Sequence, residues 1–197
     1  MQRRFSELWQ RIVAQGKPDT EFRRLNPAYS EPHRFYHNIN HINSCLTELD
    51  SLPDSVEFAI WYHDAVYDTK ANDNEEQSAS LSYNACIVAG LPSSFAEEVR
   101  DLIVATKHYK KPQGIDAQLL IDIDLSTLGK PSEEFDEYER NIRREYSWAP
   151  EDLFVKGRLA ILQMFLDRDS LYMTEFFRKR YESVARENLK RAIAALK

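Results

Sequence analysis

Four of the five histidines in this chain of 197 residues fall in two short stretches. His33, His37 and His41 are spaced four residues apart, and His63 is followed at once by Asp64. On a helix, that spacing places the three imidazoles along one slowly turning face. Imidazole and carboxylate form a mixed nitrogen and oxygen ligand set, which suits Mn, Fe, Co, Ni or Mg better than a thiolate-seeking metal. The pattern therefore predicts a site for a divalent metal ion.

Each half of this pattern also has an ordinary explanation. Three histidines in a stripe can lie on a solvated helix face, and a His-Asp dipeptide can arise by chance. The combination is more specific, because the apolar residues 59–62 lead His63 and Asp64 toward the interior. An unpaired carboxylate is costly there, and a coordinated cation removes that cost.

The elements that must position these residues read as helices. The chain has only five glycines, and its apolar residues recur at helical spacing. Helices are predicted near 5–12, 19–26, 32–49, 75–89, 93–107, 131–146, 150–166 and 174–196, and another begins at 53. The segment 121–125 alternates with a period of two, as a strand does. Since no convincing partner strand exists, we expect a helix there and one all-α domain over residues 1–197.

Composition narrows the class of protein. A formal charge of −6 and a pI near 5.5 argue against binding to a nucleic-acid polymer or a membrane surface. The first ten residues lack the apolar core of a secretion signal, and no apolar stretch is long enough to span a bilayer. Cys45 and Cys86 are expected to be buried thiols. We therefore expect a cytoplasmic protein.

The segment 36–42, YHNINHI, resembles the Tyr-His-Asn-x-x-His-Ala segment of cyclic-nucleotide phosphodiesterases, which are HD-domain enzymes. In that family the second histidine binds metal and the first protonates the leaving oxygen. The resemblance implies that His41 is a metal ligand and that His37 is the general acid. One helical turn between them would keep the acid beside the metal without tying it up.

Two further segments are similar to HD-domain enzymes. The segment 63–69, HDAVYDT, is similar to the His-Asp-x-Val-Glu-Asp-Thr stretch of alarmone hydrolases, in which the Glu-Asp pair lies beside the nucleophilic water. Tyr67 replaces the glutamate, so only Asp68 carries over as a catalytic residue. The segment 122–125 resembles the Asp-x-Asp ending of many HD domains and implies that Asp124 is the last ligand, after His41, His63 and Asp64.

Over nearly its full length the chain resembles a bacterial family of predicted HD-superfamily phosphohydrolases. The matching blocks are 29–34, 59–68, 74–79, 122–129 and 185–189. The resemblance implies a helical HD-domain bundle that uses a divalent metal ion to hydrolyse a small phosphorylated substrate, a nucleotide or another phosphomonoester or diester. It leaves the identity of that substrate and the oligomeric state open.

Several other residues have two interpretations. Glu75 and Glu76 suit the start of a helix, but either can orient a metal-bound water or contribute to a second metal site. His108 suits a helix C-terminus, but it can also serve a second metal or the substrate. Candidates for phosphate contact are Lys107, Lys110, Lys111, Arg143, Arg144, Arg158 and Arg168.

Two alternative functions use the same residues. A regulator that binds metal or nucleotide without turnover would keep the ligand set of the HD scaffold. A di-iron oxygenase would need further histidine ligands, for which His37 and His108 are the candidates.

Overall fold

The structure is a computed structural model, and it describes residues 1–108, 112 and 114–197. Over these residues the fold is all-α, as predicted, with α-helices and two short 3-10 segments and without a strand. The helices are α1 (Gln2–Arg11), α2 (Pro18–Leu25), α3 (Ile39–Leu46), α4 (Asp54–Tyr62), α5 (Asn74–Val88), α6 (Ser93–Ala105), α7 (Ile115–Asp124), α8 (Ser132–Glu145), α9 (Glu151–Leu166) and α10 (Glu175–Ala195). The 3-10 segments are Ala28–Ser30 and Leu125–Gly129.

The chain divides into two compact units, Met1–Leu120 and Ile121–Lys197, and the division falls within α7. The expectation that residues 1–197 form a single HD domain stays a prediction. None of the described helices combines the length and the apolar character that crossing a membrane requires.

Helix α4 is the centre of the first unit. Its sequence is apolar on nearly all sides, and Val56 to Tyr62 are buried without exception. A helix that is hydrophobic all round has to lie in a core. The amphipathic helix α1 covers one side of it, with the ring of Phe5 packed edge-on against Trp61 at 5.2 Å. Helix α6 packs against α4 and α5, so α4 ends inside the unit.

In the second unit, α10 packs against α9 and the Leu125–Gly129 segment. At Gly129 an added Cβ would lie 2.5 Å from Cβ of Tyr181, so only glycine fits. The side-chain amide of Asn188 donates to the carbonyls of Leu128 and Lys130, at 3.0 and 2.9 Å. Two of the sequence blocks used for the family resemblance, 122–129 and 185–189, therefore meet at this packing contact.

The prediction of a long helix over 32–49 is wrong. Helix α3 begins at Ile39, because Asn38 is its N-cap and the Asn38 side chain accepts a hydrogen bond of 2.8 Å from the backbone N–H of Asn40. His33 and His37 lie in the preceding turns, so the stripe of three imidazoles on one helical face does not exist. The ambiguous segment 121–125 is helical through Asp124, as expected.

Candidate metal centre

Three of the predicted ligands converge in the first unit. Nε2 of His41 lies 3.2 Å from Nε2 of His63 and 3.5 Å from Oδ2 of Asp64. The third separation, between His63 Nε2 and Asp64 Oδ2, is 3.1 Å. Two donors that each lie ~2.1 Å from one ion are ~3.0 to ~3.4 Å apart in octahedral and tetrahedral coordination. Two of the separations lie in this range and the 3.5 Å one lies just above it, so the three atoms are close enough to bind a single ion, as a divalent-metal site requires.

The ring of His63 is oriented so that its Nε2 faces His41 and Asp64. Nδ1 of His63 lies 2.9 Å from the carbonyl oxygen of Ile60, which can only accept, so Nδ1 carries the proton. In the neutral ring Nε2 then presents a lone pair toward His41 and Asp64. A cation shared by the two Nε2 atoms would relieve the repulsion between lone pairs that face each other at 3.2 Å. A backbone carbonyl that fixes the far nitrogen in this way is usual for metal-binding histidines.

Asp64 has the electrostatics of a ligand. Its side chain is 17% exposed, but Oδ2 is buried and accepts no hydrogen bond from the described residues. The contact with His63 Nε2, at 3.1 Å, is an ion-pair distance. Burial by itself raises the pKa of this carboxyl, but in the metal-free protein the positive charge of the protonated imidazoles of His63, His37 and His41 outweighs burial and holds the pKa well below its usual range. The group is an ionised oxygen that lies beside two ring nitrogens.

Hydrogen bonds to the backbone at the end of α4 fix the orientation of His63 and Asp64. The last carbonyls of a helix have no partner within it. Here the hydroxyl of Tyr29 donates to the carbonyl of Trp61 at 2.8 Å, and the backbone N–H of Ala65 donates to the carbonyl of Tyr62 at 2.9 Å. Burial raises the pKa of Tyr29 well above its ordinary value, which keeps this hydroxyl a donor. The turn that carries His63 is thereby fixed.

Arg34 donates hydrogen bonds to the backbone carbonyls that follow α4. Its guanidinium donates to the carbonyl oxygens of Asp64 and Ala65, and also to that of His37. Nε donates at 2.8 Å to a carboxylate oxygen of Glu31. Arg34 is 6% exposed. Sequence reasoning gave it no role, since no spacing or motif distinguishes a buried arginine that binds backbone.

Two further hydrogen-bond contacts hold Val66 and Tyr67. His33 contacts the carbonyl oxygen of Tyr67 through Nε2, at 3.1 Å. The buried hydroxyl of Ser78 accepts from the backbone N–H of Val66 at 3.0 Å. Residues of the sequence blocks 29–34 and 74–79 therefore both form hydrogen bonds with the segment 61–67.

The predicted acid, His37, lies beside the three ligands. Its ring stacks on that of Tyr67, with centroids 4.0 Å apart, and lies 6.0 Å from the ring of His41. Tyr36 packs against both histidines, at 4.9 and 4.7 Å. The neighbourhood of His37 and His41 thus arises from a turn before α3, and the expected separation of one helical turn is wrong.

Cys45 is a neighbour that sequence reasoning did not place. It is buried, and its Sγ lies 3.7 Å from Nε2 and 3.8 Å from Nδ1 of His41, one turn earlier on α3. The nearly equal distances place the sulfur alongside the ring. Cys86 is buried as well, and burial raises the pKa of its thiol to about 12. The expectation of two buried thiols is confirmed.

Asp124, the predicted fourth ligand, is the last residue of α7 and belongs to the second unit. Its place in the ligand set stays a prediction. The neighbouring Asp122 is fully buried and accepts hydrogen bonds from the backbone N–H groups of Met173 and Thr174, each at 2.7 Å. Asp122 therefore links the end of α7 to the start of α10.

Asp68 is exposed, and its carboxylate accepts from the backbone N–H of Lys70 at 2.9 Å, as in an Asx turn. Glu75 is half-buried, and burial raises its pKa, a shift to which the charge of Asp64 also contributes. Glu76 is exposed and forms an ion pair with Lys107, which lowers the Glu76 pKa. The catalytic role of Asp68 and the second-site roles of Glu75 and Glu76 stay predictions.

His108 follows α6 with a positive φ of 59°, a backbone conformation that favours histidine over most residues. Its second-metal or substrate role stays a prediction. Lys110 and Lys111 lie outside the described residues.

The four candidate arginines all belong to the second unit. Arg158 makes two hydrogen bonds to the carboxylate of Glu139, and Arg143 pairs with Glu151 at 2.8 Å. The phosphate-binding role of these arginines stays a prediction.

Comparisons with protein-family models, with curated proteins and with solved structures give no match for this chain. The functional argument therefore depends on the geometry of the residues themselves.

Proposed function

We propose that the protein is a metal-dependent phosphohydrolase of the HD type. The observation that carries the proposal is the convergence of His41 Nε2, His63 Nε2 and Asp64 Oδ2, with the Asp64 oxygen buried and unsatisfied by any described hydrogen-bond donor. A satisfied structural carboxylate would have such donors. Asp124 is proposed as the further ligand on the strength of the family resemblance alone.

When bound, a divalent ion lowers the pKa of a coordinated water and polarises a phosphoryl oxygen. The chain supplies the remaining work. Asp64, ionised by its imidazole neighbours, supplies negative charge at the centre. His37 is held against Tyr67 and protonates the departing oxygen of the ester. Asp68 accepts a proton from the attacking water. The substrate is a small phosphate ester, a nucleotide or another phosphomonoester or diester.

The test combines metal content with turnover. The purified protein is loaded with Mn, Mg, Fe, Co or Ni, and its metal is measured by elemental analysis after dialysis. A panel of phosphate esters is then assayed with each form. We expect about one equivalent of bound metal or more, and hydrolysis of at least one ester. Metal binding without any turnover would favour the non-catalytic regulator, and no metal binding would overturn both.

Two variants separate chemistry from binding. His37→Ala is expected to keep the metal and lose about 10²- to 10⁴-fold in kcat, the usual contribution of a general acid. Asp68→Asn keeps an acceptor for the Lys70 N–H, so the turn survives while the basic carboxylate is lost. If either variant turns over as fast as the wild type, the role proposed for that residue is wrong. An oxygen-dependent reaction of the iron form would instead favour the di-iron oxygenase.

A further inference from the structure

One side chain connects the turn that precedes α3 with the corner that follows α4. Arg34 donates to the carbonyl of His37 on one side and to the carbonyls of Asp64 and Ala65 on the other. These carbonyls belong to the proposed acid, to a proposed ligand and to the residue after that ligand. The guanidinium therefore sets the distance between the acid and the His63–Asp64 pair.

The guanidinium is locked at this position. The Arg34 side chain is only 1% exposed, and Glu31, on the solvent side, accepts a hydrogen bond from its Nε. Cζ, the carbon of the Arg34 guanidinium, lies 5.5 Å from the ring centroid of Tyr29 and 5.6 Å from that of Tyr67. Both tyrosines also contact the segment 61–67 or His37. A planar fork with five donors suits several acceptors at fixed directions, and an ammonium group does not.

We propose that Arg34 is a positioning residue for the metal centre: by pairing the carbonyls of His37, Asp64 and Ala65 it fixes the direction in which the ligands face the ion. The inference deepens the proposed function and rests on it. Its physical basis is that groups beyond the ligands orient them, and that their loss typically weakens metal binding by about 10- to 100-fold.

The chain contains a matched control. In the second unit Arg186 also donates to three backbone carbonyls, those of Leu166, Arg168 and Asp169, and also to one carboxylate, that of Glu182. This arginine makes the same number and kind of hydrogen bonds as Arg34, although its side chain is 27% exposed, and none of its partners is a proposed ligand. Arg186→Lys thus reports what the loss of such a clamp does to folding alone.

The experiment titrates metal-free wild type, Arg34→Lys and Arg186→Lys with Co²⁺, whose visible absorption reports the geometry of its ligands. For Arg34→Lys we expect Co²⁺ affinity to fall by about 10- to 100-fold and the absorption bands to change in position or intensity. For Arg186→Lys we expect a loss of thermal stability, with affinity and bands unchanged within about twofold.

The outcomes separate the two proposals. Equal affinity and identical bands for Arg34→Lys and the wild type would overturn the positioning role and leave the metal centre standing. A wild type that does not bind Co²⁺ would overturn both. If Arg34→Lys does not fold, Glu31→Ala replaces it, because Glu31 is 44% exposed and of the Arg34 donors it binds Nε; its other contact is a 3.9 Å ion-pair distance to His33. We expect a smaller loss of affinity there, about two- to fivefold, and an unchanged affinity would overturn the role.

Discussion

Each unit of the molecule holds a largely buried aspartate, and the two carboxylates have opposite surroundings. Asp122 in the second unit accepts from two backbone N–H groups and from the hydroxyl of Thr174, at 2.6 to 2.7 Å. Asp64 in the first unit faces the ring nitrogens of His41 and His63, and its Oδ2 has no donor among the described residues. A carboxylate that accepts several hydrogen bonds ties elements together, whereas one that faces imidazoles, which bind either a proton or a metal ion, is suited to sharing a cation with them.

The pKa values of the two carboxyls shift in opposite directions, because the groups around them differ. Burial raises the pKa of Asp122 and outweighs the hydrogen bonds that lower it. At Asp64 burial acts in the same direction, but the imidazoles outweigh it and the pKa falls. Both residues are aspartates next to apolar sequence, so the difference arises from their partners in space.

The variant Asp64→Asn tests the difference between the two carboxylates most directly. The amide keeps the shape of the side chain but loses the charge, so metal affinity should fall by at least about 100-fold, more than the loss of an outer partner causes. Stability without metal at neutral pH should change by only ~1 kcal/mol, because none of the described groups makes a geometric hydrogen bond to Oδ2. Calorimetric metal titration and urea denaturation measure the two effects. Retention of wild-type metal affinity would remove Asp64 from the ligand set.

Asp122→Asn should give the reverse result. An amide NH₂ group would face the backbone N–H groups of Met173 or Thr174, so buried donors would lose their acceptor. We expect a loss of about 1 to 3 kcal/mol in the free energy of unfolding. Metal affinity should stay within about threefold of the wild type. A large loss of metal with unchanged stability would mean that Asp122, not Asp64, has the character of a ligand.

The pH dependence of stability should differ in sign between the two aspartates. Because the pKa of Asp64 is lowered on folding, this group stabilises the protein above the ordinary aspartate pKa of ~3.9, and acidification removes that contribution. The pKa of Asp122 is raised on folding, so its effect is reversed: its protonated form favours folding, and stability falls as the pH rises through the shifted pKa.

Urea denaturation in the presence of a chelator, from about pH 3 to pH 6, measures this difference. The gap in stability between wild type and Asp64→Asn should move in favour of the wild type as the pH rises, by on the order of 1 kcal/mol. The gap between wild type and Asp122→Asn should move the other way. Parallel curves for the two variants would show that the two carboxylates do not differ as described.

The smallest expected effect is that of Thr174→Val. It removes the hydroxyl that donates to Asp122 Oδ2 at 2.6 Å and keeps the shape of the side chain. The cost should be about 1 kcal/mol, and the pKa of Asp122 should rise further because one stabilising donor is lost. Denaturation of the variant at two pH values checks both. An unchanged stability would show that the two backbone N–H groups suffice.

Much of the fold followed from patterns along the chain. The apolar stripe of α1 and the continuous apolar run of α4 specify burial whatever packs against them, and the structure places both as expected. The helix over 32–49 was mistaken because a pattern of four-residue spacing does not distinguish a helix from a turn capped by Asn38. The hydrogen bond from Asn40 to Asn38 decides that boundary, and it is local but weakly encoded.

The candidate metal site was likewise predictable from the sequence only in part. The identity of His41, His63 and Asp64 as residues able to bind a divalent metal was readable from their types and order, since ligand chemistry is a property of side chains. That their donor atoms lie 3.1 to 3.5 Å apart, and that Arg34 clamps the corner between them, required the packing of distant segments. Sequence determines which groups can bind, and tertiary structure decides which of them lack other partners and face one point, because burial and hydrogen bonding arise only when segments far apart in the chain meet.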